Sequence, residues 1–238
     1  MWKWIQRQAS PKVFYQTCNR LIPWFFWPFI SLLILGLYWS LVISPADYQQ
    51  GDGYRIIFIH VPSAILSMMV YAIMAIAGGI GLIWQIKMAE VVAKVSAPIG
   101  AGFTIIALAT GAIWGKPMWG AWWVWDARIT SMLILLFLYL GVVALFEAYE
   151  NKTAAAKACA VLTLVGTVNI PIIYKSVDWW YSLHQPASLK FTGESAIDAS
   201  MLYPLLVMIG AFYLLFAMSM LLNMRAELLW QHRNAHWL

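Results

Sequence analysis

The sequence predicts an all-α integral membrane bundle of six transmembrane helices with a Trp-rich interfacial helix on its outer face, and three observations carry that prediction. The 238 residues are 63% hydrophobic and only 11% charged, whereas about 25% of residues are charged in soluble chains. Six windows of about 20 apolar residues, the length a helix needs to cross roughly 30 Å of hydrocarbon, fall at 24–43, 56–84, 95–114, 129–149, 154–174 and 201–222. No stretch shows the alternating segments of about ten residues that mark a membrane barrel. One membrane domain, 1–238, therefore accounts for the chain, with its Trp-rich segment at 114–128 and a polar cytoplasmic tail at 223–238.

The first window is longer than the roughly 7–15 apolar residues of a secretory leader and reads as an uncleaved anchor. Gly78, Gly79 and Gly81 in the second window, and Gly100, Gly102 and Gly111 in the third, suit close helix contact in lipid. Asn169 and Pro171 near the end of the fifth mark a kink whose freed polar groups neighbouring helices satisfy. Orientation follows from the fifteen Lys and Arg residues, because positive charge stays on the synthesis side. Lys3, Arg7, Lys12, Arg20, Lys87, Lys94, Lys152, Lys157, Arg225 and Arg233 fall on one side. Arg55, Lys116, Arg128, Lys175 and Lys190 fall on the other. Both termini are thus expected in the cytoplasm, with 44–55, 115–128 and 175–200 outside. The net charge of +5 is a matter of topology; it implies membrane lipid as the surrounding partner and gives no reason to invoke nucleic acid.

The segment after the third window, WGKPMWGAWWVWDAR at 114–128, holds Trp114, Trp119, Trp122, Trp123 and Trp125, five of fifteen tryptophans. Gly115 and Pro117 read as the chain leaving the membrane, Pro117 suiting the first turn of a new helix. Wound at about 100° per residue, 118–127 places Met118, Trp119, Trp122, Trp123, Trp125 and Asp126 on one arc of roughly 160°. Gly120, Ala121, Val124 and Ala127 fall opposite. Interfacial anchoring explains one or two indoles at a helix end, but not a one-sided slab. Such a slab suits a flat apolar ligand, a porphyrin or a quinone, each good ring contact contributing about 0.5–1.5 kcal/mol beyond area burial.

Histidine separates those two ligands. His60 lies about one turn into the second span, and an ionisable group within an apolar run points to function. His184 lies in the last outer loop, after the aromatic pair Trp179 and Trp180. Each is followed two residues later by proline, Pro62 and Pro186, whereas His232 and His236 belong to the solvated tail. Two imidazoles on one membrane face, from separate segments, can clamp haem iron axially. Arg55 and Arg128, at the same boundary, have the planar fork that pairs carboxylates such as propionates. No C-x-x-C-H occurs, so any haem is not attached through that motif, and a non-covalent haem b is the expected ligand. Cys18, in the N-terminal tail, and Cys159, near the inner end of the fifth span, keep thiols off the outer face. Two histidines without outer thiols fall short of a zinc site, and the spans lack the buried ionisable groups of a proton pump. An electron-transfer subunit of a quinol-linked complex, holding haem b, is the rival reading; a purely structural permease subunit is a third and predicts no chromophore.

These residues carry a resemblance. WGKPMWGAWWVWDARITS is similar to the tryptophan-rich "WWD" signature of a haem-handling superfamily. With PADYQQGDGYRIIFIHVP at 45–62, WQIKMA at 84–89 and LHQ at 183–185, nearly the whole chain resembles the CcmC family of cytochrome c maturation system I. Larger haem lyases of that superfamily carry W-D-P and then a carboxylate; Ala127 and Arg128 follow Trp125-Asp126 here and point away from them. Met132 stands after Thr130-Ser131, where some members carry a carboxylate. The resemblance implies a carrier in the bacterial inner membrane that presents haem at the periplasmic face and hands it to the haem chaperone CcmE. It implies CcmD and the ABC-type pair CcmA and CcmB as further partners. His60 and His184 match the family's outer histidines, and Trp114 to Arg128 match its WWD segment.

Overall fold

The computed structural model describes residues 10–184 and 197–234; Lys3, Arg7, Gln185, Pro186, Lys190 and His236 lie outside the described residues. Helix α1 runs Pro11–Tyr38 and continues as one π-helical turn, Trp39–Ile43. A 3-10 turn, Asp52–Ile56, leads into α2, Ile57–Trp84, followed by α3, Lys87–Trp119, and α4, Ala127–Ala148. Then come α5, Lys152–Gly166, α6, Asn169–Trp179, and α7, Ala199–Gln231. Among the described residues six stretches are long and apolar enough to cross a membrane, with α5 and α6 together making the fifth.

The helices outrun the apolar windows because hydropathy marks only the part that suits hydrocarbon, while the backbone ladder continues to the next cap. Helix α1 begins at Pro11, where a missing N–H costs nothing, and α7 continues to Gln231, into the stretch expected as tail. Cys18 is consequently not in a loose tail: it is fully buried inside α1. A larger correction concerns the tryptophans. No separate helix spans 118–127, because α3 runs unbroken through Gly111, Gly115 and Pro117 and stops only at Trp119. Gly120 adopts φ +77°, the left-handed cap that glycine takes without penalty, and its N–H donates to the Lys116 carbonyl at 3.0 Å. From there the chain is irregular up to Asp126.

Helix α2 is the centre of the bundle, packed on α3, α5 and α7. Tyr71 of α2 and Tyr139 of α4 meet edge to face at 5.2 Å, both fully buried, and the Tyr139 hydroxyl donates to the Ser67 carbonyl at 2.7 Å. Gly100 lies against the Tyr139 ring and Gly166 against the Tyr71 hydroxyl, where any Cβ would collide. Gly78 packs closely on Ala160, where a Cβ would stand 3.3 Å from its Cα, but Gly102 faces no neighbour within 4 Å among the described residues. The fifth span breaks at Thr167 and Val168, and Asn169 donates its amide to the Ser131 carbonyl of α4 at 2.8 Å. A neighbouring helix thus satisfies the polar group at the kink.

Helix α1 lies chiefly on α7. At one end of the bundle Lys94 pairs with Glu227 at 2.6 Å, and Arg225 donates to Asn19 at 3.0 Å. The segments after α1, α3 and α6 gather at the other end, where Trp114 meets Gln50, Asp126 meets Ser182, and Ser44 meets Ser200.

Candidate functional site

Four pieces of chain converge at that end. The turn after α1 is built on Asp47, whose carboxylate accepts the N–H groups of Gln49 and Gln50 at 2.9 and 2.8 Å. Gln50 then accepts the indole N–H of Trp114 at 2.8 Å, fixing that ring on α3. Trp114 stands edge-on to His60, with ring centroids 5.8 Å apart and planes at 75°. His60 projects from the first turns of α2, and its Nδ1 lies 3.0 Å from the Thr110 hydroxyl. Gly111 leaves room for it: a Cβ there would stand 3.1 Å from His60 Cε1.

The second half is organised by Asp126, which sequence winding placed on an aromatic face and which instead caps α4. Its Oδ1 accepts the Ile129 N–H at 2.8 Å, the usual gain of an acidic N-cap. Its Oδ2 accepts the Ser182 hydroxyl at 2.6 Å and lies 3.4 Å from His184 Nδ1. Ser182 also receives the His184 backbone N–H at 3.1 Å, so the last loop is pinned to the head of α4. Burial works against the Asp126 charge, but the Ile129 N–H, the Ser182 hydroxyl and His184 together hold its carboxyl below the usual value. Burial pulls the His184 imidazole below its usual value, against the opposing pull of Asp126. His184 is therefore a neutral ring at physiological pH. The ring of Trp119 lies against it at 5.0 Å and 56°.

The expected single slab of indoles does not form, because the helix ends between Trp119 and Trp122. Trp114 and Trp119 each flank one histidine from the end of α3. Trp123 and Trp125 meet edge to face at 5.4 Å, and Trp122 and Trp125 are largely exposed. The buried indole N–H of Trp123 has no hydrogen-bond partner among the described residues. Met118 is exposed in the last turn of α3. Trp179 and Trp180 pair edge to face at 5.8 Å beside the loop that carries His184.

The two arginines differ. Arg55 has its fork committed: Nε bonds Asp52 at 2.9 Å, Nη2 bonds the Ser44 carbonyl at 2.8 Å, and Nη1 bonds the Ser40 carbonyl. It closes the end of α1. Arg128 makes no hydrogen bond or ion pair among the described residues, although the charges of Asp126 and Asp178 act on it. Trp114 and Trp119, five residues apart at the end of α3, bring His60 and His184 to the same end of the bundle, and Asp126 sets the head of α4, with Arg128, beside His184. Sequence reasoning missed Gln50, Thr110 and Ser182. No local signal marks them, since their partners lie 50 to 64 residues away.

The profile of the family described as CcmC, Heme exporter protein C, matches residues 4–238. The chain is 49% identical over 237 residues to Heme exporter protein C of Escherichia coli strain K12, covering 100% of this chain and 96% of that one. It is 52% identical over 221 residues to Heme exporter protein C of Bradyrhizobium diazoefficiens, covering 93% and 84%. It is 42% identical over 198 residues to a putative cytochrome c biosynthesis ccmC-like mitochondrial protein of Marchantia polymorpha, covering 83% and 84%.

Proposed function

Because the chain belongs to the CcmC, Heme exporter protein C, family, we propose that it handles haem for cytochrome c maturation at the periplasmic end of a multi-pass inner-membrane bundle, with both termini cytoplasmic. Haem is cargo here rather than a resident cofactor, bound without a covalent link as haem b. His60 and His184 ligate the iron from α2 and the last loop. Trp114 and Trp119 wall the macrocycle beside them, while Trp122, Trp123 and Trp125 extend the aromatic surface outward. Arg128 holds a propionate with its uncommitted fork, helped by the unpartnered N–H of Trp123. Arg55, already bonded to the end of α1, reaches a propionate only at the cost of those bonds. Asp126 orients His184.

The observation that carries this reading is the convergence of two imidazoles, each flanked by an indole, with Arg128 beside them. A neutral His184 suits it, since only the unprotonated ring offers a lone pair to iron. The exposed Trp122 and Trp125 then form the surface met by the acceptor, the haem chaperone CcmE, with CcmD and the pair CcmA and CcmB as the surrounding complex. The test is the visible spectrum of the protein purified in detergent. The wild type is expected to show a haem Soret band and a double variant, His60→Ala with His184→Ala, to lose it. No band in the wild type, or the same band in the variant, overturns the assignment.

A further inference from the structure

We infer that Thr110 is a positioning residue that fixes the tautomer of His60, so that the ring presents Nε2, and no other nitrogen, to the metal. This rests on the reading of His60 as an iron ligand. A threonine hydroxyl has one proton to give. That of Thr110 is spent within its own helix, on the Ile106 carbonyl at 2.6 Å, with the Ala107 carbonyl at 3.2 Å as a second acceptor. Facing His60 Nδ1 at 3.0 Å, the same oxygen is left only with lone pairs. The imidazole must therefore be the donor there, its proton sits on Nδ1, and its lone pair sits on Nε2.

The seat for the ring is made by one face of α3. Thr110 supplies the acceptor, Gly111 leaves space beside Cε1, and Trp114, held by Gln50, closes the edge. At the same end of the bundle Asp126 does for His184 what Thr110 does for His60, since a carboxylate accepts from Nδ1–H and leaves Nε2 bare. The two rings are thus presented alike, through different partners: a carboxylate behind one, a neutral hydroxyl behind the other. Such outer hydrogen bonds orient a ligating imidazole and raise its basicity, and their loss lowers metal affinity by about 10- to 100-fold.

Two measurements on the full chain in detergent test this. In the ligand-free wild type, 15N spectra of histidine-labelled protein are expected to show His60 with its proton on Nδ1. A proton on Nε2 overturns the inference without touching ligation. In hemin titrations, Thr110→Val, which keeps the shape and removes the hydroxyl, is expected to bind about 10-fold more weakly, and Thr110→Ser to restore wild-type affinity. Wild-type affinity in Thr110→Val, or a Thr110→Ser as weak as the valine variant, overturns it. Should the valine variant not fold, the wild-type tautomer decides alone. Retention of the hemin spectrum by His60→Ala defeats the ligand reading instead, and leaves the tautomer measurement standing.

Discussion

Asp126 shows how much one side chain can be asked to do. It caps α4 through Oδ1 and holds Ser182 and His184 through Oδ2. Asp126→Asn keeps the shape but not the charge, and is expected to weaken hemin binding about 10-fold and to lose the part of the stability that rests on the charge. Asp126→Ala is expected to lose about 1 kcal/mol more, the value of an N-cap; hemin titration and thermal unfolding in detergent separate the two effects. Acid acts on the same residues. The folded His184 titrates below 6.5, the value of an unperturbed ring, so as pH falls through 6.5 the unfolded chain takes a proton that the folded site refuses, and stability declines. The Asp126 contribution is present above 3.8 and is lost only as pH falls through its lower folded value. An NMR titration of His184 in the ligand-free protein is expected to give a midpoint below 6.5; a midpoint at or above it contradicts the burial argument.

At the scale of the element, Gly120 decides the shape of the tryptophan segment. Its φ of +77° is costly for any residue with a Cβ. Gly120→Val is expected to destabilise the fold by about 1–2 kcal/mol and to lower hemin affinity, because Trp119 and Trp123 would be re-aimed; unfolding and titration check it. Asn169→Leu, which removes the bond across the break in the fifth span, is expected to cost about 0.5–1.5 kcal/mol in the same unfolding assay. The six spans, the break near Asn169 and the nearness of His60 to one end were all legible, because apolar length and single polar residues are local signals. The path of 118–127 was not. Periodicity orders residues on a face only while the helix lasts, and Gly120 is a stop signal that competes with reading Pro117 as a start. Asp126 before an apolar run is a readable N-cap, but its hold on a serine and a histidine 56 and 58 residues away is tertiary and leaves no local trace.

For the whole molecule, the connecting segments after α1, α3 and α6 meet at one end, while Lys94, Glu227, Asn19 and Arg225 meet at the other. With Cys18 and Cys159 replaced by alanine, Lys116→Cys is expected to react with an impermeant maleimide in intact spheroplasts, and Lys87→Cys only after permeabilisation. The reverse pattern inverts the proposed orientation. The pairing of α1 with α7 has a consequence for biosynthesis. Ser44 meets Ser200, Gly36 lies against Met208 and Asn19 meets Arg225, so α1 packs chiefly on a helix that comes after four intervening spans in the sequence. During translation α1 waits in lipid while four intervening spans emerge, its seam open to whatever else the insertion machinery holds nearby. A chain that ends before α7 leaves that seam without the partner it has in the finished fold.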